Sequence, residues 1–330
     1  MLDRINTVLG AVAKKDIVPV LTHVYVTPDA VQGSNGRLSI HYPGQTPVDR
    51  EVCLPGTKLQ QALKRGKEPR WSTTEQSLTL TAGRLRVRLP INPAPYPVTT
   101  PSEGDPYPIA DPEAFTAAVA TVRPFVAQDG SKPWACGVLV KGEHLYATNN
   151  VILCRLQCPA LAGDGLPATN IPMDALDEVL RLAKAGHQPA TLRADGQSLT
   201  VDFDTGVWLR TTLLPNDWPE ADTMLDREPN GPGYADVLPD LADGVDAVVP
   251  FSADERAPVV EFGETGMRTR EGDVQAELEI PDLPAGAYRA EVLKLVLSAA
   301  TAVHWEDFPS PIHWEGADGR LKGIFAGVRL

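Results

Sequence analysis

The chain has few cysteines and no long apolar run. Its 330 residues include four cysteines, at positions 53, 136, 154 and 158. Four cysteines in a chain of this length are too sparse for a disulfide framework, so we expect free, buried thiols and a reducing cytoplasm. No apolar run approaches the roughly 20 residues that cross a bilayer, so we expect no membrane partner.

Acidic residues outnumber basic residues in the chain. The chain has 30 lysines and arginines against 43 aspartates and glutamates, which gives a formal net charge of −13. This balance argues against a general nucleic-acid coat, because phosphate binding needs local positive charge. It is compatible with a protein whose outer surface is acidic and whose DNA-facing side is basic, since the distribution of charge decides binding.

Motifs of catalysis and metal binding are absent as well. The six histidines form no His-Glu-x-x-His pattern, and the chain has neither a Gly-x-Ser-x-Gly elbow nor a phosphate loop. Cys154 and Cys158 have no second cysteine pair, so we interpret them as small buried residues on one face of a strand. The triplet His-Trp-Glu at 304–306 and 313–315 predicts two strands around a proline turn. We therefore expect no enzyme, no cofactor and no metal.

What the chain does contain is a pattern that recurs three times. A proline near a polar or basic residue precedes a short apolar run at 14–26, 131–140 and 256–270. A second β-rich theme follows each of these, at 77–90, 198–215 and 319–330. The prolines Pro19, Pro133 and Pro258 are separated by 114 and 125 residues, a period that matches one small domain. Joins rich in proline and glycine then predict domains at 1–107, 108–226 and 227–330.

Each repeat carries two segments with the apolar spacing of an amphipathic helix. They lie near 2–12, 57–66, 111–122, 173–186, 236–248 and 287–300. The first could pass for a signal peptide by length, but its early Asp3 and Arg4 favour a helix of the mature protein. The third begins at an Asp-Pro N-cap, and the fifth is acidic and interrupted by Pro239.

Period-2 runs such as 37–43, 143–158 and 273–281 predict strands between these helices. Strands outnumber helices in every repeat, which predicts an α+β fold with largely antiparallel sheets. The first, second, fourth and sixth helices keep lysine or arginine on their polar faces although the chain is acidic. Such residues are either solubilising charge or, if the helices share one surface, a site for phosphate contacts.

Five segments resemble, in order, the bacterial-type DNA polymerase processivity factor, the β sliding clamp. They are 12–26, 78–97, 127–150, 213–225 and the terminal Gly-Ile-Phe-Ala-Gly-Val-Arg-Leu at 323–330. The resemblance covers nearly the whole chain. It implies the DNA clamp fold, with three tandem clamp-type domains that each pack two helices on antiparallel sheets.

The resemblance also implies a mechanism. Two protomers of the family pair head to tail into a ring around duplex DNA, which they hold without reading its sequence. The ring tethers the replicative DNA polymerase and other factors by short peptides, and a clamp-loader ATPase opens it. We therefore expect a homodimeric replication protein of the cytoplasm, associated with the nucleoid, that is not an enzyme.

Residues carried over from the family's motifs define two expected sites. The peptide-binding pocket between the second and third domains is expected to contain Thr148, Asn150, Val151, Leu153, Pro219, Thr223, Met224, Ser310, Ile324, Ala326, Gly327, Val328 and Arg329. The DNA-facing residues are expected to be Lys14, Lys15, Lys58, Lys64, Arg65, Lys132, Trp134, Arg181, Lys184, Arg289 and Lys294. For Trp134, packing in a domain core is the competing interpretation.

Departures from the family pattern bear on the function. The first helix begins almost at Met1, so the first domain is expected to lack the family's usual first strand. The family's Gly-His-Arg is Asn150-Val151-Ile152 here, Thr223 replaces a basic residue, and Gly327 replaces a proline. We expect a more neutral pocket and a diverged clamp of the kind that suits a phage or mobile element. The alternatives are a clamp-fold adaptor or decoy that binds peptides without encircling DNA, and an enzyme that uses the acidic surface.

Overall fold

The structure is a computed structural model that describes residues 1–15, 17–66, 69–161, 163, 165–229, 233–263, 265–269, 274–280, 283–306 and 310–329. It divides into two compact units. The first comprises Met1–Ala117 and Ala160–Leu214, and the second comprises Ala118–Pro159 and Pro215–Leu330. No helix among the described residues is long and apolar enough to cross a membrane.

Seven α-helices occur in the described part of the chain. They are α1 Leu2–Val8, α2 Gly56–Arg65, α3 Pro112–Val122, α4 Met173–Lys184, α5 Ala221–Leu225, α6 Leu241–Val248 and α7 Ala290–Leu297. The predicted N-cap of α3 is confirmed, because the backbone N–H of Ala114 donates to Asp111 Oδ1 at 2.9 Å. The predicted first helix is confirmed as α1, which a short 3-10 turn at Leu9–Ala11 extends.

The strands are short and numerous. Those up to the end of α3 are β1 His23–Val26, β2 Ala30–Ser34, β3 Leu38–Pro43, β4 Val52–Pro55, β5 Arg70–Thr73, β6 Ser77–Ala82, β7 Leu85–Pro90 and β8 Tyr107–Pro108. The next are β9 Gly137–Lys141, β10 His144–Thr148, β11 Ile152–Gln157, β12 Thr169–Pro172, β13 Pro189–Ala194, β14 Ser198–Phe203 and β15 Trp208–Thr212. The last are β16 Ala235–Asp236, β17 Val259–Gly263, β18 Gly266–Thr269, β19 Glu277–Glu279, β20 Gly286–Arg289, β21 Ala302–His304, β22 Ile312–Glu315 and β23 Leu321–Phe325.

The first unit is built around an antiparallel sheet of order β4-β1-β2-β3-β15-β14-β13-β8, with a smaller sheet β5-β6-β7. Helix α1 lies on this sheet through the fully buried Ile5 and Val8. A Cβ at Gly33 of β2 would come within 2.2 Å of the Val8 carbonyl oxygen, so only glycine allows this close approach. Residues 96–102 cover other strands of the sheet, and Tyr96 stacks on Tyr25 with ring centroids 5.2 Å apart.

The strands of the second unit run in the order β9-β10-β11-β23-β22-β21-β16, beside a sheet of order β19-β18-β17-β20. Trp314 of β22 is fully buried and stacks on Phe125 at 5.4 Å. A Cβ at Gly323 of β23 would approach the Trp314 ring to 2.3 Å. The indole therefore requires a residue without a side chain at this position of the neighbouring strand. The two His-Trp-Glu triplets contribute to the paired strands β21 and β22, in which His304 faces His313. Residues 307–309 between them lie outside the described residues.

Both main sheets join segments that are far apart in the sequence. In the first unit β3 pairs with β15, so that Ile40 faces Leu209. In the second unit β11 pairs with β23, so that Leu153 faces Ile324. These pairings explain why the compact units do not follow the chain order. The division into 1–107, 108–226 and 227–330 stays a prediction.

Several expected elements differ in extent. The last helix begins at Ala290 rather than 287, because residues 286–289 pair with β17 as a strand. The fifth expected helix begins at Leu241, after Pro239, and residues 235–236 pair with β21 instead. The short helix α5 was not expected at all. In the expected strand 273–281 only Glu277–Glu279 is extended in a sheet, and residues 273 and 281 lie outside the described residues.

The cysteines are free thiols, as their number predicts. Cys53, Cys154 and Cys158 are buried, whereas Cys136 is only partly buried. The expectation of four buried thiols is therefore wrong for Cys136, which ends a 3-10 turn ahead of β9.

Candidate functional site

The second unit contains a cavity of about 410 Å³, which we call the α5 cavity. Its walls are the turn between β10 and β11, the end of β23, the residues ahead of β9 and the segment that carries α5. The lining residues are Lys132, Trp134, Thr148, Asn150, Val151, Ile152, Leu153, Asp217, Pro219, Met224, Pro311, Ile324, Phe325 and Ala326. Most of them are apolar, which suits a ligand that inserts hydrophobic side chains.

The floor of the α5 cavity belongs to a buried apolar cluster. This cluster consists of Leu139, Tyr146, Leu153, Ala221, Leu225 and Ile324, with Trp218 packed against it. Trp134 meets Trp218 edge to face, with ring centroids 5.3 Å apart and planes at 63°. Trp134 is therefore half-buried in a pair of indoles at the wall of the cavity, rather than lying deep in a core.

The β10–β11 turn that forms the rim is held by its own side chains. Asn150 has a φ of 71°, a left-handed conformation that asparagine tolerates better than most residues. The Asn149 Oδ1 atom accepts the backbone N–H groups of Val151 at 3.1 Å and Ile152 at 2.8 Å. The Thr148 hydroxyl donates to the Ile152 carbonyl oxygen at 2.6 Å and accepts the Asn150 N–H at 3.0 Å. The rim is thus preformed before any ligand arrives.

A second set of polar contacts holds α5 against the sheet, and we call it the Arg155 cluster. Arg155 Nη1 lies 2.9 Å from Asp222 Oδ1, and Arg155 Nη2 lies 2.6 Å from Asp226 Oδ1. Lys141 Nζ contacts Asp222 Oδ2 at 2.7 Å, and the Tyr146 hydroxyl donates to Asp222 Oδ1 at 2.6 Å. Strands β9, β10 and β11 therefore each contribute one side chain that contacts α5.

The Arg155 cluster shifts the ionisation of its members. Burial alone would raise the pKa of Asp222, but hydrogen bonds from Lys141, Tyr146 and Arg155 outweigh it and hold that pKa well below its usual range. The hydrogen bond from Arg155 lowers the pKa of Asp226 in the same way. Burial, followed by the bond to Asp222, raises the pKa of the Tyr146 hydroxyl. At neutral pH both aspartates are therefore charged and the tyrosine is a neutral donor.

The structure brings together eight of the residues expected in the peptide pocket. Those that line the α5 cavity are Thr148, Asn150, Val151, Leu153, Pro219, Met224, Ile324 and Ala326. The others, Thr223, Ser310, Gly327, Val328 and Arg329, are not among its lining residues. Two residues expected to face DNA, Lys132 and Trp134, also line this cavity. Whether these residues bind a peptide stays a prediction.

The other expected DNA-facing residues of the first unit lie on or next to its helices. Helix α1 contacts both neighbours: Gln60 of α2 donates to Asn6 Oδ1 at 2.8 Å, and Arg181 of α4 donates to the Thr7 carbonyl oxygen at 2.7 Å. Six exposed cations accompany these three helices, namely Lys14, Lys15, Lys58, Lys64, Arg65 and Lys184. Helix α2 is the most positive of the three, because it carries Lys58, Lys64 and Arg65 and no carboxylate, whereas α4 also carries Asp174, Asp177 and Glu178.

Two of the expected DNA-facing residues are engaged inside their own unit. The Arg181 guanidinium lies 2.7 Å from Glu178 Oε2, besides its bond to Thr7. Lys294 of α7 forms an ion pair with Asp246 of α6. Arg289, at the end of β20, is exposed. The ion pairs leave Arg181 and Lys294 with less charge to offer a phosphate than the exposed lysines of α2 have.

Sequence reasoning missed the Arg155 cluster. Its partners are separated by 67 to 81 residues, and no local pattern marks them. The only available signal was the placement of Asp222 and Asp226 four residues apart, which puts two carboxylates on one face of a helix.

The fold is that of known proteins, although the sequence is distant from them. No protein-family model matches the chain, and no curated protein sequence matches it. The DNA polymerase sliding clamp of Caulobacter crescentus superposes with a TM-score of 0.85 at 18% identity, over 100% of this chain and 97% of that one. The Pseudomonas aeruginosa DnaN sliding clamp bound to griselimycin gives 0.82 at 17% identity, again over 100% and 97%.

A Helicobacter pylori β clamp bound to a DNA ligase peptide also superposes, with a TM-score of 0.76 at 14% identity over 99% of this chain and 97% of that one. The chain therefore has the DNA clamp fold, an α+β architecture of helices on antiparallel sheets. In particular it has the fold of the bacterial DNA polymerase III β sliding clamps, and this confirms the expected resemblance at the level of the fold.

Proposed function

We propose that the protein is a DNA sliding clamp, a ring-shaped processivity factor that encircles duplex DNA. Two protomers pair head to tail, and each has three clamp domains, at 1–107, 108–226 and 227–330. A clamp-loader ATPase opens the ring. The protein works in the cytoplasm at the nucleoid, holds DNA topologically and carries out no catalysis itself.

The observation that supports this proposal most is the match of the whole chain to sliding clamps of three bacteria, despite identities below 20%. A ring that retains DNA by topology needs only weak, sequence-blind phosphate contacts. The exposed lysines that accompany α1, α2 and α4 are suited to such contacts. Ion-paired Arg181 and Lys294 are expected to contribute less.

We further propose that the α5 cavity is the docking site for a short peptide of the replicative DNA polymerase and of other factors. The Helicobacter pylori clamp is bound to a DNA ligase peptide. An apolar peptide tail suits the mostly apolar lining of the α5 cavity. Met224, Pro219 and Ile324 would contact its aliphatic or aromatic side chains. Lys132 and Asp217 at the lining would contact its polar groups.

The experiment that tests the ring is the mass of the protein in solution, measured by light scattering at micromolar concentration. A mass of twice the 35.5 kDa chain supports a ring of two protomers. A mass of one chain at every concentration contradicts it, because one protomer cannot close around DNA head to tail.

A clamp-fold adaptor or decoy that binds peptides without encircling DNA is the second candidate. The ion pairs of Arg181 and Lys294 favour it, since they reduce the positive charge that could face DNA. A monomer that binds an apolar peptide at the α5 cavity but has no affinity for duplex DNA would support the adaptor.

A further inference from the structure

Helix α5 is too short to be stable without support. It has five residues, Ala221–Leu225, and an isolated helix below about 12 residues is marginal in water. Its apolar side chains Ala221 and Leu225 are buried against the sheet. Two buried side chains provide little packing, so the position of the helix must depend on its polar contacts as well.

Those polar contacts converge on Arg155. Its side chain is only 16% exposed, and it donates to Asp222 through Nη1 at 2.9 Å and to Asp226 through Nη2 at 2.6 Å. Arg155 Nη1 also donates to Asp226 Oδ2 at 3.2 Å. The guanidinium therefore forms a bidentate pair with Asp226 through Nη1 and Nη2. Only the planar fork of arginine reaches two carboxylates in this way, because a lysine offers a single point of charge.

Asp222 and Asp226 bracket the residue that forms the cavity wall. Met224 lies between them in the sequence and lines the α5 cavity, and it is one of the exposed large apolar residues of the chain. A contact that holds the backbone on both sides of Met224 also sets the direction of its Cα–Cβ bond, and with it the part of the cavity wall from which the side chain extends. Pro219, which also lines the cavity, precedes the same helix by two residues.

We propose that Arg155 is a positioning residue of the peptide site, which holds α5 and Met224 in the place where a peptide can bind. This inference rests on the proposed function. Arg155 itself is not among the residues that line the cavity, so its effect on binding would act through α5.

The test compares Arg155→Met and Arg155→Lys with a matched control, Arg193→Met. Arg193 lies on β13 of the first unit and contacts Asp202 at 2.7 Å, so it is also a strand arginine paired with an aspartate. Two quantities are measured on the full chain. Amide hydrogen exchange over residues 219–226 reports the stability of α5, and fluorescence anisotropy of a labelled peptide ending in leucine and phenylalanine reports binding.

We expect Arg155→Met to speed exchange in 219–226 and to weaken peptide binding, each by about tenfold, since a hydrogen bond to a charged group has roughly that effect. Arg155→Lys restores part of both, and Arg193→Met changes neither by more than about twofold. Unchanged exchange, or faster exchange with undiminished affinity, overturns the inference.

A wrong peptide site and a wrong role for Arg155 give different results. If the wild-type protein does not bind the peptide, the peptide site is wrong. Hydrogen exchange then decides by itself whether Arg155 holds α5. Circular dichroism of each variant checks whether the rest of the fold is intact.

Discussion

Replacing Met224 by alanine tests the α5 cavity. Met224 is 44% exposed, so part of its side chain packs within the fold and the rest is apolar surface that a ligand can cover. Complete burial of a methionine side chain is worth about 1.5–3 kcal/mol, and the exposed share of Met224 corresponds to roughly 1 kcal/mol. A peptide in the cavity should therefore bind about fivefold more weakly to Met224→Ala.

The control is the neighbouring residue. Thr223 is exposed on the same helix but is not among the residues that line the cavity, so Thr223→Ala should leave affinity within about twofold. Binding is measured by anisotropy of the labelled leucine-phenylalanine peptide, with the free energy of unfolding measured alongside. Equal effects of the two substitutions, or no effect of Met224→Ala, would refute the assignment of the cavity wall.

Three further outcomes are expected. Tyr146→Phe removes the hydroxyl that donates to Asp222 and should lower the free energy of unfolding, measured in urea, by about 1 kcal/mol. As a control, Tyr25→Phe removes a hydrogen bond to an exposed carboxylate and should lower the free energy of unfolding by less than about 0.5 kcal/mol. Because the folded-state pKa of Asp222 is depressed, its stabilisation is present at neutral pH and is lost as pH falls below about 4. The stability gap between wild type and Asp222→Asn should therefore narrow in acid, and a constant gap would contradict this. Lys58→Ala should reduce the number of phosphate contacts, obtained from the slope of the logarithm of DNA affinity against the logarithm of salt concentration, by about one. Lys294→Ala removes an ion-paired cation and should change this slope little.

Local patterns in the sequence predict most of the helices. The apolar spacing of the first segment and the Asp-Pro cap at 111–112 each correspond to a helix in the structure. Both signals lie within a few residues of the element they define. Pro133 likewise opens the 3-10 turn that leads into β9.

Elements that depend on distant partners could not be predicted in this way. The apolar spacing predicts a helix from residue 287, but residues 286–289 pair with β17 and form a strand. Helix α5 follows two prolines in a segment without an apolar stripe, and contacts with Leu139, Leu153 and Ile324 hold it in place. Such contacts are decided by the fold and leave no local trace in the sequence.

The candidate site shows the same division. Eight expected pocket residues line one cavity, because the fold brings together the β10–β11 turn, the end of β23 and the segment of α5 that carry them. The Arg155 cluster was missed, because an arginine in a strand and two aspartates about 70 residues later have no pattern in common. Lys132 and Trp134 show a further limit, since a basic residue beside a proline does not reveal which surface it faces.

Topological retention on DNA tests the central proposal most directly. The protein is mixed with a linear duplex that carries biotin at both ends, and streptavidin is added either after or before the protein. A ring threads over free ends and is trapped by end blocks that come later, so we predict retention at high salt only when streptavidin is added last. Equal retention in both orders would show binding to the outside of DNA, and no retention in either order would contradict a ring that encircles it.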